Sequence, residues 1–324
     1  MSRPLVSIIL PIYNAGEYLR PCLDTLVNQT LRDIEIICVL DCPTDGSDAI
    51  VEEYAKQDKR IVVIKNPENL NIGESRNVGL RAAKGEYIGF SDHDDTRTLD
   101  MYEKLYAESQ IHKSDVVISG VLARWIEDKS RPFSDSAPRE KAFYSLLMRD
   151  GLPRFMGHVT PNLYHHQFLL DNGICFVDTR KVSVEDIIFN EQVFRNISND
   201  KLFFTKETFY QYRLHESNAH LQSWYRDIFH VTKHVINLYR IALSTSWVDQ
   251  KLVVKLITKA LIEHIYTCFR KDLKGRRYRT ILAYKSYMQQ EPELLQIIKD
   301  ADILSLKMTP PKTLIALWLK VICM

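Results

Sequence analysis

Tyr87-Ile88-Gly89-Phe90-Ser91-Asp92-His93-Asp94-Asp95 is an apolar run of strand character that stops abruptly in three carboxylates. In an extended backbone, side chains i and i+2 point to the same side. That spacing predicts that Asp92 and Asp94 project together from the end of a buried strand. Two like charges so placed repel unless something positive lies between them. A hard divalent cation, Mg²⁺ or Mn²⁺, prefers such oxygen ligands. The competing reading is a solvated turn or a helix N-cap, with Asp95-Thr96 and Thr98 opening the next helix. On this cluster taken by itself the two readings stand level.

Outward from it, the first 120 residues alternate short apolar runs with amphipathic segments. The runs are Val6–Tyr13, Ile34–Leu40, Arg60–Lys65, Tyr87–Phe90 and Val116–Ser119. They are apolar on both faces, as in a parallel sheet covered on both sides. Leu19, Cys22, Leu23 and Leu26 make the i, i+3, i+4, i+7 stripe of a helix. Ser47 is placed to cap a second helix carrying Ile50, Val51, Tyr54 and Ala55. A third is predicted over about residues 74–84, stopping at Gly85 as a C-terminal signal. The alternation predicts an α/β layered fold with a mostly parallel sheet flanked by helices. Pro11 fits best near the carboxyl end of the first strand, where the ladder is already breaking.

The chain has 324 residues, 45% hydrophobic and 26% charged, with a formal net charge of +2. Such composition is ordinary for globular proteins and gives no electrostatic signature for nucleic acid. Cys22, Cys38, Cys42, Cys175, Cys268 and Cys323 show neither CxxC nor zinc spacing, which suits thiols in a reducing compartment. The start runs straight into Val6–Leu10 with no small-residue cleavage site, so no secretory leader is expected. No apolar run reaches the ~20 residues needed to span a bilayer. Residues 127–140 read as an exposed loop and residues 143–212 as a second patterned region. From Trp224 the pattern is helical, with Leu252, Leu256, Ile257, Ala260, Leu261 and Ile265 in one stripe. The expected division is a catalytic domain over 1–220 and a C-terminal helical extension over 221–324. Residues 270–285 hold seven basic side chains against Asp272 alone, and 313–322 form an apolar stretch with Trp318. Such a tail suits an anionic membrane surface; packing on the protein or on a second copy in a homo-oligomer is equally open.

Ligands of open α/β sheets sit outside the carboxyl ends of the strands. Tyr13 and Asn14 follow the first strand, Asp41 the second, and Asp92 and Asp94 the strand at Tyr87. Arg76, taken by itself, reads as an exposed helical arginine. The Glu185-Asp186 pair by itself reads as an exposed helix N-terminus, where acids suit the dipole.

Taken together the stretches resemble the inverting family-2 glycosyltransferases of the GT-A fold. The likeness lies in Val6–Asn14, the Asp41 segment, Ser75-Arg76-Asn77-Val78-Gly79-Leu80, Gly85–Ile88 and Ser91–Asp95. It continues through Pro161–Tyr164, Phe168-Leu169, Gly173–Phe176 and Val184–Phe189. It looks most like the bacterial members that build surface polysaccharides. The resemblance implies that Pro11, Tyr13 and Asp41 line a nucleoside pocket, with Tyr13 stacked on the base and Asp41 accepting its imide N–H. That pairing suits a UDP-sugar donor. Asn69 and Arg76 would flank the nucleotide. Asp92 and Asp94 would form the Asp-x-Asp motif around Mn²⁺ or Mg²⁺, with Asp94 the more direct ligand. Asp186 would be the catalytic base, and Arg213, His215 and Ser217 would reach the pyrophosphate. The acceptor would be a glycan or lipid-linked hydroxyl, which places the enzyme in the cytoplasm or on the inner face of the membrane.

Two departures stand out: the Asp41 segment is one residue short, with Cys42-Pro43 where Asp-Gly is common, and position 93 is His rather than small. Two other functions compete. A nucleotidyltransferase also combines an α/β sheet with acidic residues, yet its Gly-rich basic loop has no counterpart in Tyr13-Asn14-Ala15-Gly16-Glu17. A non-catalytic nucleotide-sugar scaffold would be expected to lack Asp94 or Asp186, and the chain has both.

Overall fold

The computed structural model describes residues 3–125, 140–142, 158–179 and 185–214, together with Ile262 and Gln296. The chain divides into two compact units, Met1–His215 and Glu216–Met324. The expected loop over 127–140, the helical stripe beyond Trp224, the basic segment 270–285 and the apolar stretch 313–322 lie outside the described residues, save for Glu140, which begins a strand. Among the described residues no helix is long and apolar enough to cross a membrane.

Strands β1 (Val6–Ile12), β2 (Ile34–Leu40), β3 (Ile61–Lys65) and β4 (Tyr87–Phe90) alternate with helices α1 (Leu19–Val27), α2 (Ser47–Gln57) and α3 (Asn71–Ala82). Next come β5 (Thr96–Arg97), α4 (Met101–His112), β6 (Val116–Trp125) and β7 (Glu140–Ala142). The remaining elements are β8 (Asn162–His165), α5 (His166–Asp171), α6 (Glu185–Asn196) and β9 (Leu202–Leu214). The sheet order is β3-β2-β1-β4-β8-β6-β9-β5, with β7 on β6. β3, β2, β1 and β4 run parallel, and so do β6 and β9. β8 is inserted antiparallel between β4 and β6.

Strand alternation sorts the core into two layers. Ile8, Leu10 and Ile12 of β1 and Ile36, Cys38 and Leu40 of β2 pack with Leu19, Leu23 and Leu26 of α1 and Tyr102 and Leu105 of α4. Ile9, Ile37, Val39, Ile88 and Phe90 face the other way, toward Leu169 of α5 and Phe189 and Val193 of α6. Both faces are covered, which is why the parallel strands read as continuous apolar runs. The β1–β4 ladder ends at Ile9↔Phe90 while β1 continues to Ile12. Pro11 therefore lies beyond that ladder, where a missing N–H is tolerated.

Four local expectations are corrected. Helix α3 starts at Asn71, which takes φ +63°, and ends at Ala82. Gly85 is not a left-handed cap; a Cβ there would come within 2.4 Å of the backbone N of Ser7. Its own N–H donates to Ser7 Oγ at 2.7 Å. Glycine is needed for this close approach of two backbones. Ser47 does not cap α2. Asp45 Oδ1 accepts the Ser47 N–H at 3.0 Å, and the Ser47 hydroxyl accepts the Ala15 N–H at 3.1 Å, tying the β2–α2 loop to the β1–α1 loop. Asp95 and Thr98 do not open a helix, because β5 intervenes and α4 begins only at Met101. Gly85→Ala is expected to destabilise the domain by ~1–3 kcal/mol, as overpacking does where backbone must shift. A thermal melt checks this, and an unchanged Tm would contradict the contact.

Candidate functional site

The sequence predicts polar residues at the carboxyl ends of β1, β2 and β4, and the parallel register brings those ends together. At the end of β4 the backbone turns instead of continuing extended: the Asp95 N–H donates to the Asp92 carbonyl at 3.3 Å. Asp92 and Asp94 thus share a tight turn; the expected strand alternation does not hold there. Both are partly exposed, while Asp95 is fully buried. Asp95 accepts the Tyr210 O–H at 2.7 Å and the Arg213 N–H at 2.8 Å. Burial, with Asp94 and Asp92 close by, pushes its carboxyl well above the usual range. The Tyr210 oxygen also accepts the Asp92 N–H at 3.1 Å. One phenol on β9 thereby fixes both ends of the acidic turn. Nothing in the local sequence near residue 92 signals a partner 118 positions away.

His93 Nδ1 lies 3.3 Å from the Pro11 carbonyl oxygen, a contact that places a proton on Nδ1. It ties the acidic turn to the end of β1. Arg213 donates from Nε to the Asp94 carbonyl and from Nη2 to the Tyr18 carbonyl at 2.9 Å. Its guanidinium lies over the Tyr18 ring at 5.3 Å. Arg213 is therefore brought to the acidic turn, where it holds main chain. His215 and Ser217 lie outside the described residues.

Arg76 is not the exposed helical arginine its local sequence suggests. It is 1% exposed and is the largest fully buried side chain among the described residues. Nη2 donates to Asp92 Oδ1 at 2.8 Å. Nη1 donates to Glu185 Oε1 at 3.1 Å and, in a shorter contact, to Asp186 Oδ1. The cation also packs 5.1 Å from the Phe176 ring centroid. Asn77, next in the helix, exchanges two bonds with the Phe176 backbone, at 2.8 and 2.9 Å. Glu185 and Asp186 form the first turn of α6, and their side chains are 17% and 19% exposed. Three carboxylates against one guanidinium leave the cluster negative. Desolvation, aided by Glu185 and Asp92, outweighs Arg76 and moves the Asp186 carboxyl upward. A carboxylate in this setting is a stronger proton acceptor than a solvated one.

On the other flank, Asp41 is 3% exposed. Its Oδ1 accepts the Asn66 amide at 2.8 Å and the Leu70 N–H at 2.7 Å. Asn66 also donates to Ser75 Oγ at 3.0 Å. Asn69 donates to the Asp41 carbonyl at 3.3 Å. Asn66, which no sequence signal marks, aims Asp41, and Ser75 of the Ser75-Arg76-Asn77 stretch holds Asn66. Tyr13 is 47% exposed at the end of β1. Asn14 and Cys42 adopt φ of +46° and +57° just past β1 and β2. Left-handed non-glycine residues collect at such sites because the surrounding contacts hold them there. Asn14 Oδ1 accepts the Thr44 N–H at 2.8 Å.

The carboxylate oxygens of Asp92 and Asp94 are hard donors. Among the described residues no three His, Cys, Asp or Glu side chains gather as a protein cage for a metal. The residues therefore fit a cation held by one or two carboxylates and completed by substrate phosphate, the usual way Mg²⁺ is bound. A groove of about 810 Å³ opens elsewhere, lined by Arg3, Glu35, Arg60, Lys84 and His166. It lies at the amino ends of the strands and is not this site.

A mostly parallel sheet in this strand order, with helices on both faces, is a GT-A type fold. The chain belongs to glycosyl transferase family 2, whose model matches residues 7–175. It is 34% identical over 215 residues to an uncharacterized glycosyltransferase, EpsJ, of Bacillus subtilis; the match covers 65% of this chain and 61% of that relative. Its fold is similar to a crystal structure of S. aureus TarS 1–349 in complex with UDP-GlcNAc. The TM-score is 0.66 at 20% identity, over 98% of this chain and 87% of that one. It is also similar to a mannosyltransferase from Pyrobaculum calidifontis in complex with GDP-Man and Mn²⁺. There the TM-score is 0.56 at 13% identity, over 99% of this chain and 88% of that one.

Proposed function

We propose that the chain transfers a sugar from a UDP-sugar to a hydroxyl of a growing surface glycan or lipid-linked acceptor, with inversion at the anomeric carbon. One observation carries this reading. Asp186, on α6, and Asp92, after β4, bind the same buried guanidinium, which supports a reading in which one acid serves the attacking side and the other the leaving side. The acceptor oxygen attacks the anomeric carbon as the bond to the diphosphate breaks, and its proton passes to Asp186. A positioned base of this kind contributes ~10²–10⁴-fold. Asp94 and Asp92 would hold a divalent cation, which when bound supplies neutralising charge where the leaving diphosphate becomes more negative.

Asp41 Oδ1 is consumed by Asn66 and Leu70, which leaves Oδ2 to accept a pyrimidine imide N–H. Tyr13 is exposed where a base would stack, and Asn69, held to the Asp41 carbonyl, would border the nucleotide. The TarS complex with UDP-GlcNAc supports a uridine donor on the same fold. The acceptor class rests on the resemblance to polysaccharide-building members. The basic and apolar tail segments suit a catalytic domain working at the inner membrane surface.

Thermal shift against a panel of nucleotide sugars with Mn²⁺ tests the donor assignment. Stabilisation follows mass action, ~2.7 kcal/mol at a hundredfold excess over Kd. UDP-sugars are expected to raise Tm, and GDP- or ADP-sugars to do so far less. A larger shift with a purine nucleotide sugar would overturn the uridine reading.

A further inference from the structure

We infer that Arg76 is the positioning residue that sets the separation between the leaving-group acid and the proton-accepting acid, holding the first turn of α6 and the turn after β4 as one unit. The inference rests on the function proposed above and deepens it. The resemblance places Arg76 beside the nucleotide. Its geometry points instead to protein carboxylates, because both terminal nitrogens are committed to them. Nη2 holds Asp92, and Nη1 holds Glu185 and Asp186. Its side chain is 1% exposed, under the Phe176 ring, which leaves little of it within reach of a ligand. The segments it joins lie 16 and 110 residues from it along the chain.

The residue type matters. A guanidinium is a planar fork that can serve two acids from two nitrogens in fixed directions. A lysine ammonium is a point charge on a flexible stem and cannot reproduce that spacing. A base displaced by about 1 Å loses rate on the order of 10²-fold even when the substrate still binds. Arg76 touches no reacting atom in this scheme and works only through Asp186 and Asp92.

The test uses two separate variants, Arg76→Lys and Asp92→Ala. For Arg76→Lys, kcat is expected to fall by at least ~10²-fold while the Kd for UDP with Mn²⁺ stays within about threefold. Failure of the charge-conserving variant to rescue kcat, at near-normal affinity, is what a phosphate ligand or a merely structural arginine would not produce. A loss of UDP affinity matching the loss of kcat/KM would overturn the inference, and so would a wild-type kcat. Hydrogen exchange of the Asp92→Ala protein, which has no side-chain oxygen left for Arg76 Nη2, gives a second readout without nucleotide. Amides of residues 186–190 should exchange at least ~10-fold faster, although residue 92 lies on a different segment. Unchanged exchange there would overturn the inference and leave the donor assignment untouched.

Discussion

Asp186→Asn is expected to lower turnover by at least ~10²-fold and leave donor binding close to wild type. The amide keeps the volume and one oxygen that Arg76 can donate to, but it cannot take the acceptor's proton. Arg76 is not orphaned, because Asp92 and Glu185 still bind it. The variant removes a negative charge from a buried cluster with an excess of negative charge, so Tm should hold or rise. Active-site acids commonly trade stability in this way. Single-turnover transfer, with donor affinity measured in parallel, separates the two effects. Wild-type turnover would remove Asp186 as the base, and Glu185, on the same guanidinium nitrogen, would be the next residue to test.

Asp94→Asn is expected to weaken Mn²⁺-dependent UDP binding by at least ~10-fold, about 1.4 kcal/mol. An amide oxygen is a neutral and poorer ligand for a hard cation than a carboxylate. The Asp94 backbone contact with Arg213 uses the main-chain carbonyl, so the substitution keeps it. Titrations with Mn²⁺ and with chelator present should differ for the wild type and nearly coincide for the variant. Equal Mn²⁺-dependent affinity in the two proteins would show that Asp94 is not the ligand.

Much of the parallel half was legible because its signals are local. Runs such as Ile34–Leu40 are apolar on both faces, and the Leu19–Leu26 stripe matches α1. The errors were also local. Gly85 looked like a helix cap because chain order does not reveal that Ser7 lies against it. Ser47 looked like a cap because its hydroxyl's partner, Ala15, is 32 residues away. Tyr210, which ties Asp92 to Asp95, carried no signal among the aromatic residues of β9.

The amino-acid order by itself determined the strand–helix alternation, the acidic end of β4 and membership of the family, because each is written within a few turns or strands. Only the tertiary structure decided what Arg76 does. A guanidinium placed on a helix by local pattern reads as solvated. It becomes a buried cross-link only when the sheet brings in Asp92 and the chain returns more than a hundred residues later with Asp186. Burial raises the strength of that interaction by lowering the local dielectric, and burial is a property of the folded whole.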